Sequence, residues 1–169
     1  MKNLITAILV CISFNLFSQA EDDNFYLVDS KISWHKAYKT NKTLEQVLAY
    51  FEESDIFKKV KIENNQVFGQ LNPHATNPKI TGVPGVHPLV NKTDFKGDVN
   101  IQYRAKEKEY VVYFTNLTQV GRGDLLKKNE EQTFEQNFLK AGISEYRPYF
   151  LKRNKTVYNE TFIPIFEIK

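Results

Sequence analysis

Hydrophobic and polar residues alternate most clearly in two hairpins. In the first, apolar Val60 and Ile62 precede Asn64-Asn65, two residues that tolerate positive φ, and apolar residues return from Val67. In the second, every other residue from 99 to 103 is apolar, a polar turn follows, and residues 110–114 return on the matching face. Because this return strand is apolar on both faces, we expect it to be central or covered by a helix.

Two capping boxes predict helix starts. Thr43 and Thr133 are each followed three residues later by a glutamine, and apolar residues then recur at helical spacing. The first helix runs from Leu44 to Phe51, and Gly142 is the expected stop of the second. Before the first helix, residues 24–39 predict a strand region.

Two segments fit no regular pattern. Residues 71–94 hold four prolines, which exclude regular helix across most of the segment and predict a long loop that is either functional or disordered. The tail from Ser144 is ambiguous. Its first part fits a helical hairpin despite Pro148, and its last part, around Pro164, fits an edge strand or a packed tail.

The order is therefore strand, helix, hairpin, long loop, hairpin, helix and tail. It lacks the strand–helix alternation of doubly wound folds. We expect an α+β domain over residues 21–169, with one antiparallel sheet and helices on one face.

The first twenty residues have the layout of a secretory signal peptide. Lys2 precedes an apolar run from Leu4 to Leu16, and the segment ends in the small-residue site 18–20. The run is too short to span a membrane. Cleavage after Ala20 would remove Cys11, the single cysteine, so we expect an exported, periplasmic or secreted domain without disulfides. Lipidation of Cys11 is the alternative, although no small residue precedes it.

Composition adds two points. The formal net charge of +3 comes from interspersed lysines and glutamates without a basic block, which argues against nucleic acid as a partner. Thirteen phenylalanines and nine tyrosines predict an aromatic core, with a ligand-stacking surface as the alternative.

The helix at 44–51 and the two hairpins, FKKVKIENNQVFGQL and VNIQYRAKEKEYVVYFTNLTQV, resemble secreted bacterial proteins of a domain of unknown function. The resemblance covers about residues 31–140, with Gly69, Tyr103 and Tyr110 its most recognisable positions. It implies a TATA-binding-protein-like fold, a curved antiparallel sheet with helices on one side. It carries over neither a catalytic residue nor DNA binding, since fold does not imply function.

Few residues suggest chemistry. His74, His87 and Asp94 share the predicted loop and are candidates for a ligand surface, a zinc site or a general base, although their spacing matches no helical metal motif. His35 follows Trp34, so strand alternation places it on the opposite, exposed face. No serine lies in a nucleophile elbow, and nothing points to a cofactor.

Two short motifs remain. Arg122-Gly123-Asp124 is an adhesion tripeptide that chance and a turn also explain. Five Asn-x-Thr triplets would be glycosylation acceptors in a eukaryotic secretory pathway; they begin at Asn41, Asn91, Asn116, Asn154 and Asn159.

These observations favour an exported protein of unknown function that is a non-catalytic binding or structural domain for a protein or small-molecule ligand. The alternative is a small secreted hydrolase with its site in the 71–94 loop. A third possibility is a subunit of a surface assembly that offers an edge strand to its neighbour. An enzyme should show a concave site with convergent titratable groups, and a binding domain an open sheet face or apolar patch.

Overall fold

The computed structural model describes residues 24–77 and 84–169, and within them the chain forms one open antiparallel sheet with helices on one face. This is the α+β architecture expected from the sequence. The strands are β1 (Phe25–Val28), β2 (Lys31–Lys39), β3 (Phe57–Glu63), β4 (Gln66–Ala75), β5 (Thr93–Arg104), β6 (Glu109–Gly121) and β7 (Glu131–Thr133). The α-helices are α1 (Leu44–Glu52), α2 (Pro88–Lys92), α3 (Phe134–Phe138) and α4 (Lys155–Phe166), and a π-helical turn, Phe150–Asn154, leads into α4.

The strand order is β1-β2-β6-β5-β4-β3, with β7 beside the second half of β6. The long return strand β6 is therefore central, which is one of the two alternatives that its two apolar faces predict. Bulges interrupt the pairing of β3 with β4, β4 with β5 and β5 with β6. Bulges bend and twist a strand, so they curve the sheet.

The core lies between the sheet and the helices and is largely aromatic. Phe162 of α4 contacts Trp34, Phe95 and Phe114, with ring centroids 5.6, 4.8 and 5.0 Å apart. Phe51 of α1 packs on the other end of β6. The aromatic residues therefore belong chiefly to the core, as composition predicts.

The local turn and cap signals form as predicted. Asn64 and Asn65 have φ of 51° and 61° in the β3–β4 turn, which matches the turn that favours the twist of a hairpin. Both capping boxes are present, with Thr43 and Thr133 each accepting a hydrogen bond from the backbone three residues on. Residues 24–39 form a hairpin of two strands rather than one strand region.

The predicted loop at 71–94 is wrong at both ends. β4 continues to Ala75, and Pro73 lies where the pairing with β5 shifts. Pro88 begins α2, where the missing N–H costs no helical hydrogen bond, and β5 starts at Thr93. Pro73 and Pro88 therefore occupy positions that a strand bulge and a helix start tolerate.

The C-terminal tail is a helix, not an edge strand. α4 contains Pro164 two residues before its end, and the missing N–H of Pro164 removes the hydrogen bond to the carbonyl four residues earlier. Burial of Phe162 and Phe166 favours continuing the helix. The second capped helix also differs from expectation. It stops at Phe138, and Gly142, with φ of 76°, lies in the turn beyond it.

The predicted signal segment, with Cys11, lies outside the described residues. None of the helices that the structure describes combines the length and the apolar composition needed to cross a bilayer.

Candidate functional site

One face of the sheet carries no helix from the described residues. Side chains of a strand alternate between faces, and the helices pack on the face of Trp34, Val112 and Phe114. The residues between these positions point the other way and are mostly part-exposed. We call this surface the open face.

A row of aromatic side chains crosses the open face. Tyr26 stacks on His35 with ring centroids 3.6 Å apart, and His35 meets Tyr113 edge-on at 5.6 Å. The register continues the row, since Tyr113 lies opposite Asn100 and Asn100 lies opposite Phe68. Phe68 is 37% exposed. We call this line of residues, four aromatic side chains and one asparagine, the aromatic row: Tyr26, His35, Tyr113, Asn100 and Phe68.

The surroundings of His35 in the aromatic row favour its neutral form. Burial, and secondly the Arg104 guanidinium, lower the pKa of His35 below its usual value. His35 lies opposite Trp34 in the alternation, as predicted, but it is part-buried by its ring contacts rather than fully exposed. A neutral imidazole can stack without bringing a charge into the row.

A group of ion-paired side chains lies at one end of the open face. Glu109, 7% exposed, accepts hydrogen bonds from Lys39 Nζ at 2.8 Å and Arg104 Nη1 at 3.3 Å. The bond from Lys39 is the main cause that lowers the pKa of Glu109. Arg104 also donates to the Tyr113 hydroxyl at 3.3 Å. The carboxylate at this end is thus balanced by its two cations.

A small polar cleft lies where β5 and β6 bulge. It has a volume of about 220 Å³. Asp98 Oδ1 accepts from Gln70 Nε2 at 2.8 Å, and Asp98 Oδ2 accepts from Asn116 Nδ2 at 2.7 Å. Asn116 has a φ of 50°, and Gly97 precedes Asp98 in the bulge. We call this site the bulge cleft.

Two larger clefts lie outside the aromatic row and the bulge cleft. One, of about 580 Å³, runs along residues 39–42 to Gln46 and Ile168. The other, of about 510 Å³, is bounded by Ser30 and residues 135–147. Neither has histidine among its lining residues, so neither gathers the groups that general acid–base catalysis most often uses.

The predicted site residues do not come together as one site. His74 is in β4, where its ring meets Phe95 edge-on at 5.7 Å, and burial lowers its pKa although Asp94 opposes the shift. Asp94, at the start of β5, is paired with Arg122, whose Nη2 lies 2.5 Å from Oδ1. His74 and Asp94 are neighbours across the β4–β5 pair, but no third metal-ligating residue joins them among the residues that the structure describes.

His87 has a structural position instead. Its Nδ1 accepts the Leu89 N–H at 3.3 Å and so caps α2, and its ring stacks on Tyr149 at 5.0 Å. Its own N–H donates to Asn154 Oδ1 at 3.1 Å. Among residues 24–77 and 84–169, no group of three or more histidine, cysteine or acidic residues could hold a metal ion.

The adhesion tripeptide is engaged within the molecule. Arg122 binds Asp94 and also donates to the Asn91 carbonyl at 3.3 Å, while Asp124 lies 3.6 Å from Lys92 Nζ. Both charged groups of the tripeptide therefore have partners inside the protein.

The Asn-x-Thr triplets divide into two groups. Asn41, Asn91 and Asn116 are exposed, whereas Asn154 is 1% exposed. Asn159 is part-buried, and its Oδ1 accepts from the Trp34 indole at 2.9 Å. A folded chain could not present Asn154 to a modifying enzyme.

Sequence reasoning missed the aromatic row and the bulge cleft. In the sequence, Tyr113 indicates only that the return strand at 110–114 is apolar on both faces, and Asn100 is one of the polar residues that alternate with the apolar ones at 99–103. Their alignment with Tyr26 and Phe68 depends on the order and register of five strands, which the sequence does not state.

No protein-family model matches the chain, and no curated protein does. Two solved structures are similar to it. One is described as a TBP-like protein from Parabacteroides distasonis ATCC 8503, with a TM-score of 0.49 and 10% identity over 83% of this chain and 90% of that one. The other is a DUF4468 family protein from Bacteroides ovatus ATCC 8483, with a TM-score of 0.44 and 8% identity over 85% of this chain and 84% of that one. The first description carries the same TATA-binding-protein-like label as the resemblance noted from the sequence, and both proteins come from bacteria. The likeness concerns fold alone.

Proposed function

We propose that this protein is an exported, non-catalytic binding domain that holds its ligand on the open face. The observation that carries the proposal is the aromatic row, which lies on a sheet surface that no described helix covers. Aromatic side chains with a few placed polar groups are the usual lining of ligand sites. An open sheet face is also the feature expected of a binding domain rather than an enzyme.

The absence of convergent chemistry at the predicted residues supports a non-catalytic role. His87 caps a helix, Asp94 is neutralised by Arg122, and His74 packs against Phe95. A hydrolase acting through this part of the chain would need these groups to meet around one substrate.

The binding proposal is tested with arrays of glycans, peptides and oligonucleotides. We expect the protein to bind one of these classes, and Phe68→Ser to weaken that binding. Leu151→Ser is the matched control, because Leu151 is 50% exposed but belongs to the π-helical turn beside α4. Equal loss in both variants, or no loss in either, would contradict a site on the open face. Recovery of a cleaved ligand would contradict a non-catalytic role.

Export is tested separately. The apolar run and the small-residue site at 18–20 support cleavage after Ala20. Expression of the full chain in a Gram-negative bacterium should give periplasmic or secreted protein whose mass corresponds to a chain that begins at Glu21. Protein that stays in the cytoplasm with residues 1–20 attached would overturn this part of the proposal.

A further inference from the structure

The bulge cleft and the aromatic row are adjacent parts of one surface. Gln70 is two residues from Phe68 along β4, and Asp98 is two residues from Asn100 along β5, on the same face. Two residues of a strand span roughly 7 Å. A ligand of a few linked rings can therefore contact the cleft and the row at once.

The charges that line the bulge cleft cancel. Lys58 and Lys96 are matched by Asp98 and Glu131, and Lys96 forms an ion pair with Glu131. A polyanion such as nucleic acid would meet the two carboxylates, and a basic peptide would meet the two lysines. This balance favours an uncharged ligand.

The hydrogen-bonding groups of the cleft suit a ligand with many hydroxyls. Each oxygen of the Asp98 carboxylate accepts one amide hydrogen bond, from Gln70 and from Asn116. A carboxylate has about four acceptor positions, so it can accept two further hydrogen bonds from a ligand. The amide bonds also fix the orientation of the carboxylate before a ligand arrives, which lowers the entropy cost of binding.

We propose that the open face binds a neutral oligosaccharide. A sugar ring has hydroxyls at its edge and C–H groups on its faces. One ring donates hydroxyls to Asp98 in the bulge cleft, and a neighbouring ring lays its C–H face against Phe68 and Tyr113. This inference rests on the proposed binding function and adds the chemical class of the ligand.

The test is electrophoresis of the native protein in gels that contain a β-glucan, a mannan, a xylan or an α-glucan, with heparin, single-stranded DNA and casein as the other classes. We expect at least one neutral polysaccharide to retard the protein. Asp98→Ala should weaken that interaction at least about ten-fold, because it removes a charged hydrogen-bond acceptor. Phe68→Ser should weaken it as well, and Leu151→Ser should leave it unchanged.

A second variant keeps the test independent of folding. Asp98→Asn preserves the side-chain volume, and the amide of Gln70 or Asn116 can turn to present its oxygen to the new NH2 group. We therefore expect this variant to weaken binding while its melting temperature stays close to that of the wild type. If no neutral polysaccharide retards the protein, the oligosaccharide proposal is overturned. If the protein binds only DNA, heparin or casein, and Phe68→Ser weakens that binding, the oligosaccharide proposal is overturned but the proposal of a binding site on the open face is supported. If the wild type binds none of these polymers, both the oligosaccharide proposal and the proposed binding function are overturned.

Discussion

Gly97 occupies a position in the bulge of β5 where a methyl group has no room. An ideal Cβ there would lie 2.6 Å from the Phe114 ring and 2.6 Å from the Thr115 carbonyl oxygen. Because the backbone cannot move aside as a flexible side chain can, we expect Gly97→Ala to lower the free energy of unfolding by roughly 2 kcal/mol. Chemical denaturation measures this change.

Gly69 is the matched control for Gly97, since it lies in the paired strand β4. A Cβ at Gly69 would meet its nearest neighbours at 3.5 Å, an ordinary contact. We expect Gly69→Ala to change the free energy of unfolding by no more than about 0.5 kcal/mol. Similar losses in the two variants would mean that crowding in the bulge is not the cause.

Two histidines should make the protein less stable in mild acid. Burial lowers the pKa of His35 and of His74 below the usual 6.5. The unfolded chain therefore binds more protons than the folded protein once the pH falls below 6.5, and the free energy of unfolding decreases through that window. The pKa of Glu109 is also lowered, but it affects the free energy of unfolding only below about pH 4.5, outside the pH range of the two histidines.

Thermal melting between pH 7.5 and 5 measures this effect. We expect the wild type to melt at progressively lower temperature as the pH falls through 6.5, and the double variant His35→Gln/His74→Gln to show a shallower decline. A double variant with the same pH dependence as the wild type would assign the effect to other groups.

At the scale of elements, α4 holds the sheet and the helices together. Phe162 contacts aromatic rings from β2, β5 and β6. We expect Phe162→Ala to lower the free energy of unfolding by about 3–5 kcal/mol, the usual cost of emptying a buried phenylalanine site. Phe68→Ala, which removes the same ring from the open face, should cost roughly 1 kcal/mol or less. Denaturation of both variants by urea compares the two faces directly, and comparable costs would refute the assignment of the core to the helical face.

Elements with local signals were predictable, and elements defined by distant contacts were not. The Asn64-Asn65 turn and the capping boxes at Thr43 and Thr133 depend on residues within four positions of each other, so the sequence contains their whole cause. In α4, the local signal of Pro164 opposes the helix, and burial of Phe162 and Phe166 against residues far away in the chain outweighs it.

At the scale of the whole molecule, the edges of the sheet bear on the possibility of assembly. β3 is an edge strand with lysines at 58, 59 and 61, and Lys59 has a φ of 54° where the pairing with β4 shifts. Lysines and bulges on an edge strand oppose pairing with another chain. We therefore expect no association through the β3 edge, which elution volumes at several protein concentrations measure.

Substitution of the β3 edge tests this expectation. Replacing Lys58, Lys59 and Lys61 together by threonine should increase association, measured by light scattering during size-exclusion chromatography. Replacing the same three residues by arginine, which keeps the charge, should not. A wild type that already associates through this edge would instead favour the surface-assembly hypothesis.

The sequence by itself determined the two main hairpins and the starts of the two capped helices, because each follows from alternation, turn residues or caps that are close together in the chain. The sequence also predicts a signal peptide, and this remains a prediction because those residues lie outside the described part of the chain. Only the tertiary structure decided the path of residues 144–169 and the roles of His74, His87 and Asp94. It alone also aligns Tyr26, His35, Tyr113, Asn100 and Phe68 across five strands, since strand order and register are set by which apolar faces can be buried together.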